Sequence, residues 1–199
     1  MAEKAGTRER LVGAAARLFQ ERGYAATGLS DILSLSGAPK GSLYHYFPGG
    51  KEDLAIAAAE LAGQRFLDSL KAEAVTSMST PQLIIGFAAR LAGWLEQSGY
   101  TMGCPLATLA LEQAPHSPPL SDTVAAMFAS WQDALGERLR ADGMGQARAS
   151  ELAVLILSGI EGALILARAQ RDSAPLIRSA RALAQLIEAE AARSRTAQV

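Results

Sequence analysis

The sequence predicts an all-α fold of nine helices in two parts. A small N-terminal head of three helices contains a helix-turn-helix, and a larger helical C-terminal body follows. Three observations predict this. Apolar residues make up 49% of the chain and are mostly Ala and Leu, a composition that suits helical packing. They recur at three- and four-residue spacing, while few windows alternate with period two. Gly23, Gly37, Pro48-Gly49-Gly50, Gly99, Pro115 and Ser173 to Pro175 cut the 199 residues into helix-sized lengths.

The first helix is expected from Thr7 to Arg22, capped by Thr7 and ended by Gly23, with Leu11, Ala14, Ala15, Leu18 and Phe19 inward. The second begins near Leu29, turns Leu29, Ile32, Leu33 and Ser36 inward, and stops at Gly37, which supplies a left-handed turn. The third runs from about Lys40 to Tyr46. Lys51 opens a long fourth helix to about Lys71, with Leu54, Ala58, Leu61, Ala62, Phe66 and Leu70 on its stripe. Thr80-Pro81 reads as a cap followed by proline at the first helical position. Helix five then presents Ile84, Phe87, Ala88, Leu91, Trp94 and Leu95. A short sixth helix starts at Gly103-Cys104-Pro105. The seventh, opened by Ser117-Pro118, carries Leu120, Val124, Met127, Phe128, Trp131, Leu135 and Leu139 on one side. Helix eight is expected over Arg148 to Arg171 and helix nine after Ser173 and Pro175, with a polar, frayed tail beyond Ala191. The domain division is 1–50 and 51–199.

The head carries the chemistry. In helix three, Leu43 and Phe47 are four residues apart and face inward together. Lys40 with Tyr44, and Gly41 with His45, take other faces, and Ser42 and Tyr46 complete the outward set. Lys40 can neutralise a phosphate. Gly41 lets another backbone approach closely. The rings of Tyr44 and His45 can pack on sugar or a thymine methyl while their polar ends bond phosphate. Thr27 and Lys51, beside the starts of helices two and four, are further phosphate candidates. Any one of these aromatics could instead cap a small core. The whole run, with Gly37, Lys40, Gly41 and Lys51 in place, favours a helix-turn-helix set against a double-stranded DNA groove.

Charge agrees. Through residue 51 there are seven basic and four acidic side chains, a balance of +3, and the remainder sums to −4 against a whole-chain charge of −1. A mildly basic head on an acidic body suits a small DNA-reading module. The one cysteine, Cys104, excludes an intrachain disulfide and reads as a small buried apolar residue in a cytoplasmic protein, with a redox role as the minority alternative. The first ten residues hold no signal-peptide core. The apolar stretch Leu152 to Ala167 is shorter than a membrane span and is broken by Glu161, which makes it a core or interface helix. Two distant histidines, and no His-Glu-x-x-His, Cys-x-x-Cys, phosphate loop or Gly-x-Ser-x-Gly, give no catalytic residues, no metal site and no cofactor to expect. An all-helical enzyme and a partner-binding scaffold without a DNA role stand as the competing classes.

Thr-Arg-Glu-Arg-Leu (7–11), Ala15 to Phe19, Arg22-Gly23-Tyr24, Thr27, Asp31-Ile32 and Gly37 through Phe47 resemble the DNA-binding head of the tetracycline-repressor (TetR) family. Met102 to Leu106 with Leu109 to Glu112 resembles a branch related to lincomycin- and flavonoid-responsive repressors. The chain departs from the family pattern at Pro39, where a serine cap is common, and at Pro48-Gly49-Gly50-Lys51, which is one residue longer. The resemblance implies a ligand-responsive regulator, most simply a repressor on a palindromic operator. It implies that Phe66, Phe87, Leu91, Trp94, Met127, Phe128 and Trp131, each singly compatible with ordinary core, form a pocket for a small apolar or aromatic inducer. Met102 belongs to the same set. It also implies a homodimer through helices eight and nine, for which Gly159, Gly162 and Ala163 would allow close approach and Leu155, Ile156, Ile160 and Leu164 would supply apolar surface.

Overall fold

The computed structural model describes residues 6–74, 78–113 and 115–196, without the side chains of 71–74 and 195–196. The readings made on residues 1–5 and 197–199 lie outside the described residues. Within them the order is α1 (Thr7–Arg22), α2 (Leu29–Ser36), α3 (Lys40–Tyr46), α4 (Lys51–Ala74), α5 (Thr80–Gln97), α6 (Pro105–Glu112), α7 (Pro118–Ala141), α8 (Gln146–Gln170) and α9 (Ala174–Thr196). No strand occurs among the described residues. The all-α reading holds.

Two compact units form. One holds Met1–Arg65 with Cys104–Phe128, the other Phe66–Gly103 with Ala129–Val199. In the first, α1 packs on α2, α3 and α6. Leu11, Ala15 and Phe19 of α1 are buried, as are Ile32, Leu43, Phe47 and Leu54. In the second, α9 packs along both α5 and α8. Its stripe of Leu176, Ala180, Leu183, Ala184 and Ile187 is buried.

Several local expectations are corrected. Gly6, not Thr7, is the N-cap of α1, and Thr7 is its first helical residue. Ser79, not Thr80, caps α5: its N–H donates to Gln82 Oε1 at 3.0 Å, and Pro81 follows one position later than expected. Thr80 is buried, and its N–H donates to Asp142 Oδ2 at 3.0 Å. α9 continues helical past Ala191, where Glu190 is paired with both Arg148 and Arg193 at 3.1 Å. Cys104 is half-buried rather than enclosed.

Helix α8 departs most from expectation. The helix is 25 residues long, so length does not exclude a membrane span; by length and composition it is long and apolar enough for one. One of its faces nonetheless serves this chain. Leu152, Ile156, Ile160, Ala163, Leu164 and Ala167 are buried, and Ser179 Oγ of α9 donates to the Gly159 carbonyl at 3.2 Å. A Cβ on Gly159 would lie 3.1 Å from Leu183 Cδ1. Gly159 thus belongs to the α8–α9 packing within one chain, and Ile156, Ile160 and Leu164 are buried in that chain as well. Leu155 lies on the other face, which also exposes Val154, Ile165 and Leu166.

Leu43 is fully buried in the first unit, and α3 is too short to sustain itself. Leu43→Ala should lower the unfolding free energy by about 2–5 kcal/mol, the range for emptying a buried leucine site. Urea denaturation followed by circular dichroism measures this; a loss below about 0.5 kcal/mol would show that the head does not depend on this side chain.

Candidate nucleic-acid interface

The helix-turn-helix is built by a few backbone devices. Gly37 adopts φ 62° and ψ 21° after α2, and its N–H donates to the Leu33 carbonyl at 3.0 Å. That left-handed step is cheap only for glycine. Arg10 of α1 reaches across and donates from Nε to the Ser36 carbonyl at 3.1 Å, placing a cation on the negative end of α2. At the other end of α2, the Gly28 N–H donates to Asp31 Oδ2 at 3.2 Å. Gly28 has no hydroxyl to return the bond, so this is half of a capping box.

Pro39 stands at the N-cap of α3 and offers no side-chain acceptor. Its carbonyl instead accepts twice from Ser42, from the N–H at 2.9 Å and from Oγ at 2.6 Å. Ser42 has therefore spent its one hydroxyl proton inside the turn, and a phosphate oxygen would meet only its lone pairs. Its expected place in the outward set is corrected to that of a turn former.

The rest of α3 is two-sided. Leu43 and Phe47 are buried, while Lys40, Gly41, Tyr44, His45 and Tyr46 are exposed. Tyr44 is 58% exposed and Tyr46 42%. His45 and Tyr46 stand edge to face with centroids 4.9 Å apart. A Cβ on Gly41 would meet nothing within 4 Å. Nothing inside the chain calls for glycine there, although glycine in a helix costs about 1 kcal/mol relative to alanine.

Thr27 is also corrected. It is 1% exposed, and its hydroxyl donates to the Gly23 carbonyl at 2.7 Å. It pins the α1–α2 turn and has no surface for a phosphate. Lys51, the first residue of α4, is half-buried with Nζ 4.2 Å above the Tyr24 ring. Burial lowers its pKa, while the Glu112 carboxylate pulls it up. Tyr24 is pushed up by burial and then by Glu52. The longer Pro48-Gly49-Gly50 turn is accommodated by Gly50 at φ 67°. The Gly49 N–H donates to Asp53 Oδ2 at 2.7 Å, which ties the turn to the first turn of α4.

Sequence reasoning missed three polar ties around this head. One is Arg10 to Ser36. The second is the Ser117 hydroxyl, which donates to Glu52 Oε1. The third is Glu112, whose Oε2 accepts the Ala25 N–H at 2.8 Å. Only the last left a trace in the sequence, a carboxylate at a helix C-terminus, where the dipole disfavours it.

The residues expected to line a ligand pocket are only partly brought together. Phe66 packs against Trp131 with ring centroids 4.2 Å apart and planes tilted by 41°, and meets Phe87 edge to face at 5.2 Å. Leu91 is half-buried on α5. Trp94 is corrected: it is 54% exposed. The inward stripe of α5 runs Leu83, Ile84, Ala88, Ala92 and Leu95, one helical step away from Trp94. Met127 and Phe128 fall in the first unit, where Met127 sits so close to Gly63 that an added Cβ would overlap its thioether. A shallow depression of about 180 Å³ lined by Ser79, Pro81, Asp142, Ile187, Glu188 and Ala191 includes none of the aromatic set. Among the described residues, no group of three or more His, Cys, Asp or Glu side chains is arranged to hold a metal ion.

Comparison with known proteins adds to this geometry. Residues 11–58 match the model of bacterial regulatory proteins of the tetR family. Residues 82–182 match the C-terminal domain described as transcriptional regulator LmrA/YxaF-like. An HTH-type transcriptional regulator of Mycobacterium tuberculosis is 40% identical over 190 residues, covering 93% of this chain and 96% of that one. The HTH-type transcriptional regulator LmrA of Bacillus subtilis is 36% identical over 186 residues, with 92% and 97% covered. Among solved structures, a TetR transcriptional regulator from Chloroflexus aurantiacus superposes with TM-score 0.75 at 32% identity, over 92% of this chain and 94% of that one. One from Legionella pneumophila, at 24% identity, shares the fold with TM-score 0.82 over 92% and 98%. With its helix-turn-helix matched at one end and its body at the other, the chain belongs to the TetR family of DNA-binding transcriptional regulators, which are not enzymes.

Proposed function

We propose that the protein is a cytoplasmic homodimeric repressor, released from a pseudopalindromic operator by a small apolar or aromatic inducer. In this reading residues 1–50 read DNA and residues 51–199 bind ligand and dimerise. The observation that carries it is the two-sided α3. Its inner face is consumed by Leu43 and Phe47, and its outer face offers Lys40, Gly41, Tyr44, His45 and Tyr46, exposed. Lys40 supplies a phosphate contact, the bare helix at Gly41 allows close approach to the groove, and Tyr44 and His45 present rings to sugar and base edges. Lys51 adds a phosphate contact from the start of α4. Similarity to LmrA supports the branch related to lincomycin- and flavonoid-responsive repressors.

The dimer uses α8 and α9. The exposed face of α8 carries Val154, Leu155, Ile165 and Leu166 with Gly162 between them. One short reading helix specifies too little sequence alone, and a twofold axis doubles it.

Induction runs through α4. This helix carries Lys51 at its start and Phe66 about four turns along. Phe66 touches both Phe87 and Trp131, so a ligand that parts these rings displaces α4. Such a ligand must favour the form that does not bind DNA, because equal affinity for both forms shifts nothing.

Three measurements check this reading. Operators selected from a random DNA pool should be pseudopalindromic, and Lys40→Ala should weaken binding to them and reduce the salt slope by about one. Unchanged affinity and slope would mean that α3 is not docked in the groove. Analytical ultracentrifugation should show a dimer at micromolar concentration, alone and on DNA; a monomer that binds a single half-site specifically would overturn the interface. For induction, Trp94→Phe leaves Trp131 as the one tryptophan. An apolar compound that quenches it saturably should weaken operator binding by about 5- to 150-fold, the usual range of coupling. Saturable quenching with unchanged operator affinity would break the proposed link.

A further inference from the structure

Glu112 is the last residue of α6. A carboxylate there opposes the negative end of the helix dipole. Two neighbours offset that cost, and both belong to the head or its junction with α4. The Ala25 N–H in the α1–α2 turn donates to Glu112 Oε2 at 2.8 Å. The Lys51 ammonium rests on Tyr24, where burial lowers its pKa and the Glu112 charge partly offsets that lowering. Gly23 makes room for the contact. Its φ of 85° is a glycine conformation, and a Cβ there would overlap the carboxylate. Beside it, Leu111 is 76% exposed, so the final turn of α6 gains no apolar hold from that residue.

From this arrangement we infer that Glu112 is a positioning residue for operator binding: it holds the α1–α2 turn to the end of α6, and with it the entry of α2. The inference deepens the proposed DNA-binding reading and rests on it. The turn that Glu112 grips continues through Thr27, whose hydroxyl closes back on Gly23, into Gly28 and the first residue of α2. Shifting that turn shifts the helix-turn-helix as a block. The coupling is mutual. A head held by DNA keeps the Ala25 N–H on Glu112 and steadies the last turn of α6, and an α6 that moves away gives up the carboxylate and frees the turn. Glu112 touches no DNA in this scheme, so its loss changes affinity without changing the number of phosphates neutralised.

The test uses the full-length protein and operators selected by the wild type from random DNA. Glu112→Ala should weaken operator binding by roughly tenfold, as for loss of a hydrogen bond to a charged group, with an unchanged salt slope. Glu112→Gln keeps an acceptor oxygen for the Ala25 N–H and should recover most of the affinity. Hydrogen exchange adds a readout that a merely structural role would not move: operator binding should slow exchange in the last turn of α6 in the wild type and not in Glu112→Ala. Unchanged affinity in Glu112→Ala would overturn the inference. So would equal protection of α6 in both proteins, or a loss accompanied by a lowered melting temperature and not recovered by Glu112→Gln. Failure of the wild type to select any operator would instead sink the DNA-binding reading itself.

Discussion

A helix of seven residues does not hold itself together in water, since nucleation alone exceeds what so few hydrogen bonds return. α3 therefore exists only because Leu43 and Phe47 are buried beneath it. This constraint organises the head. Leu11, Ala15 and Phe19 of α1 belong to the same core, Gly37 sets the angle of entry, and Arg10 ties the end of α2 back to α1. The face left over is free to be chemical. Because Leu43 within the helix and Phe47 at its C-cap secure it, Lys40, Gly41, Tyr44 and His45 are left on the exposed side.

The second unit depends on a different constraint, the close approach of α8 and α9. Gly159 leaves space for Leu183, and the Ser179 hydroxyl occupies a helix carbonyl across the contact. α8 thereby spends one apolar face within its own chain and retains another. A helix that is apolar on both sides reads, in composition, like a membrane span. In this fold, the buried side faces α9, and the proposed partner of the other is a second copy.

Polar groups do the work that the apolar core cannot, because they have direction. Ser42 and Thr27, each plausible from sequence as a DNA contact, are used to close turns. The Thr27 hydroxyl satisfies the Gly23 carbonyl, and the Ser42 hydroxyl adds a second bond to a Pro39 carbonyl that already accepts the Ser42 N–H. The joint of Tyr24, Lys51, Glu52, Glu112 and Ser117 brings together four segments of the first unit.

The sequence by itself determined the all-α class, the helix order and the helix-turn-helix, because these rest on local periodicity and on breakers such as Gly23, Gly37 and Pro48. It also determined that Leu43 and Phe47 face in while Lys40, Tyr44 and His45 face out, since a four-residue spacing fixes relative direction within one helix. What it could not determine was which edge of a broad apolar stripe is covered. On α5, Ala92 and Leu95 are buried and Trp94 is not, a choice made by where α9 lies. Caps moved by one residue for a similar reason, with Ser79 and Asp142 jointly holding the start of α5. The Glu112–Ala25 bond spans 87 positions of sequence. No local pattern encodes such a contact, and only the tertiary structure decides it, because a single hydrogen bond depends on two distant backbones arriving at one distance and angle.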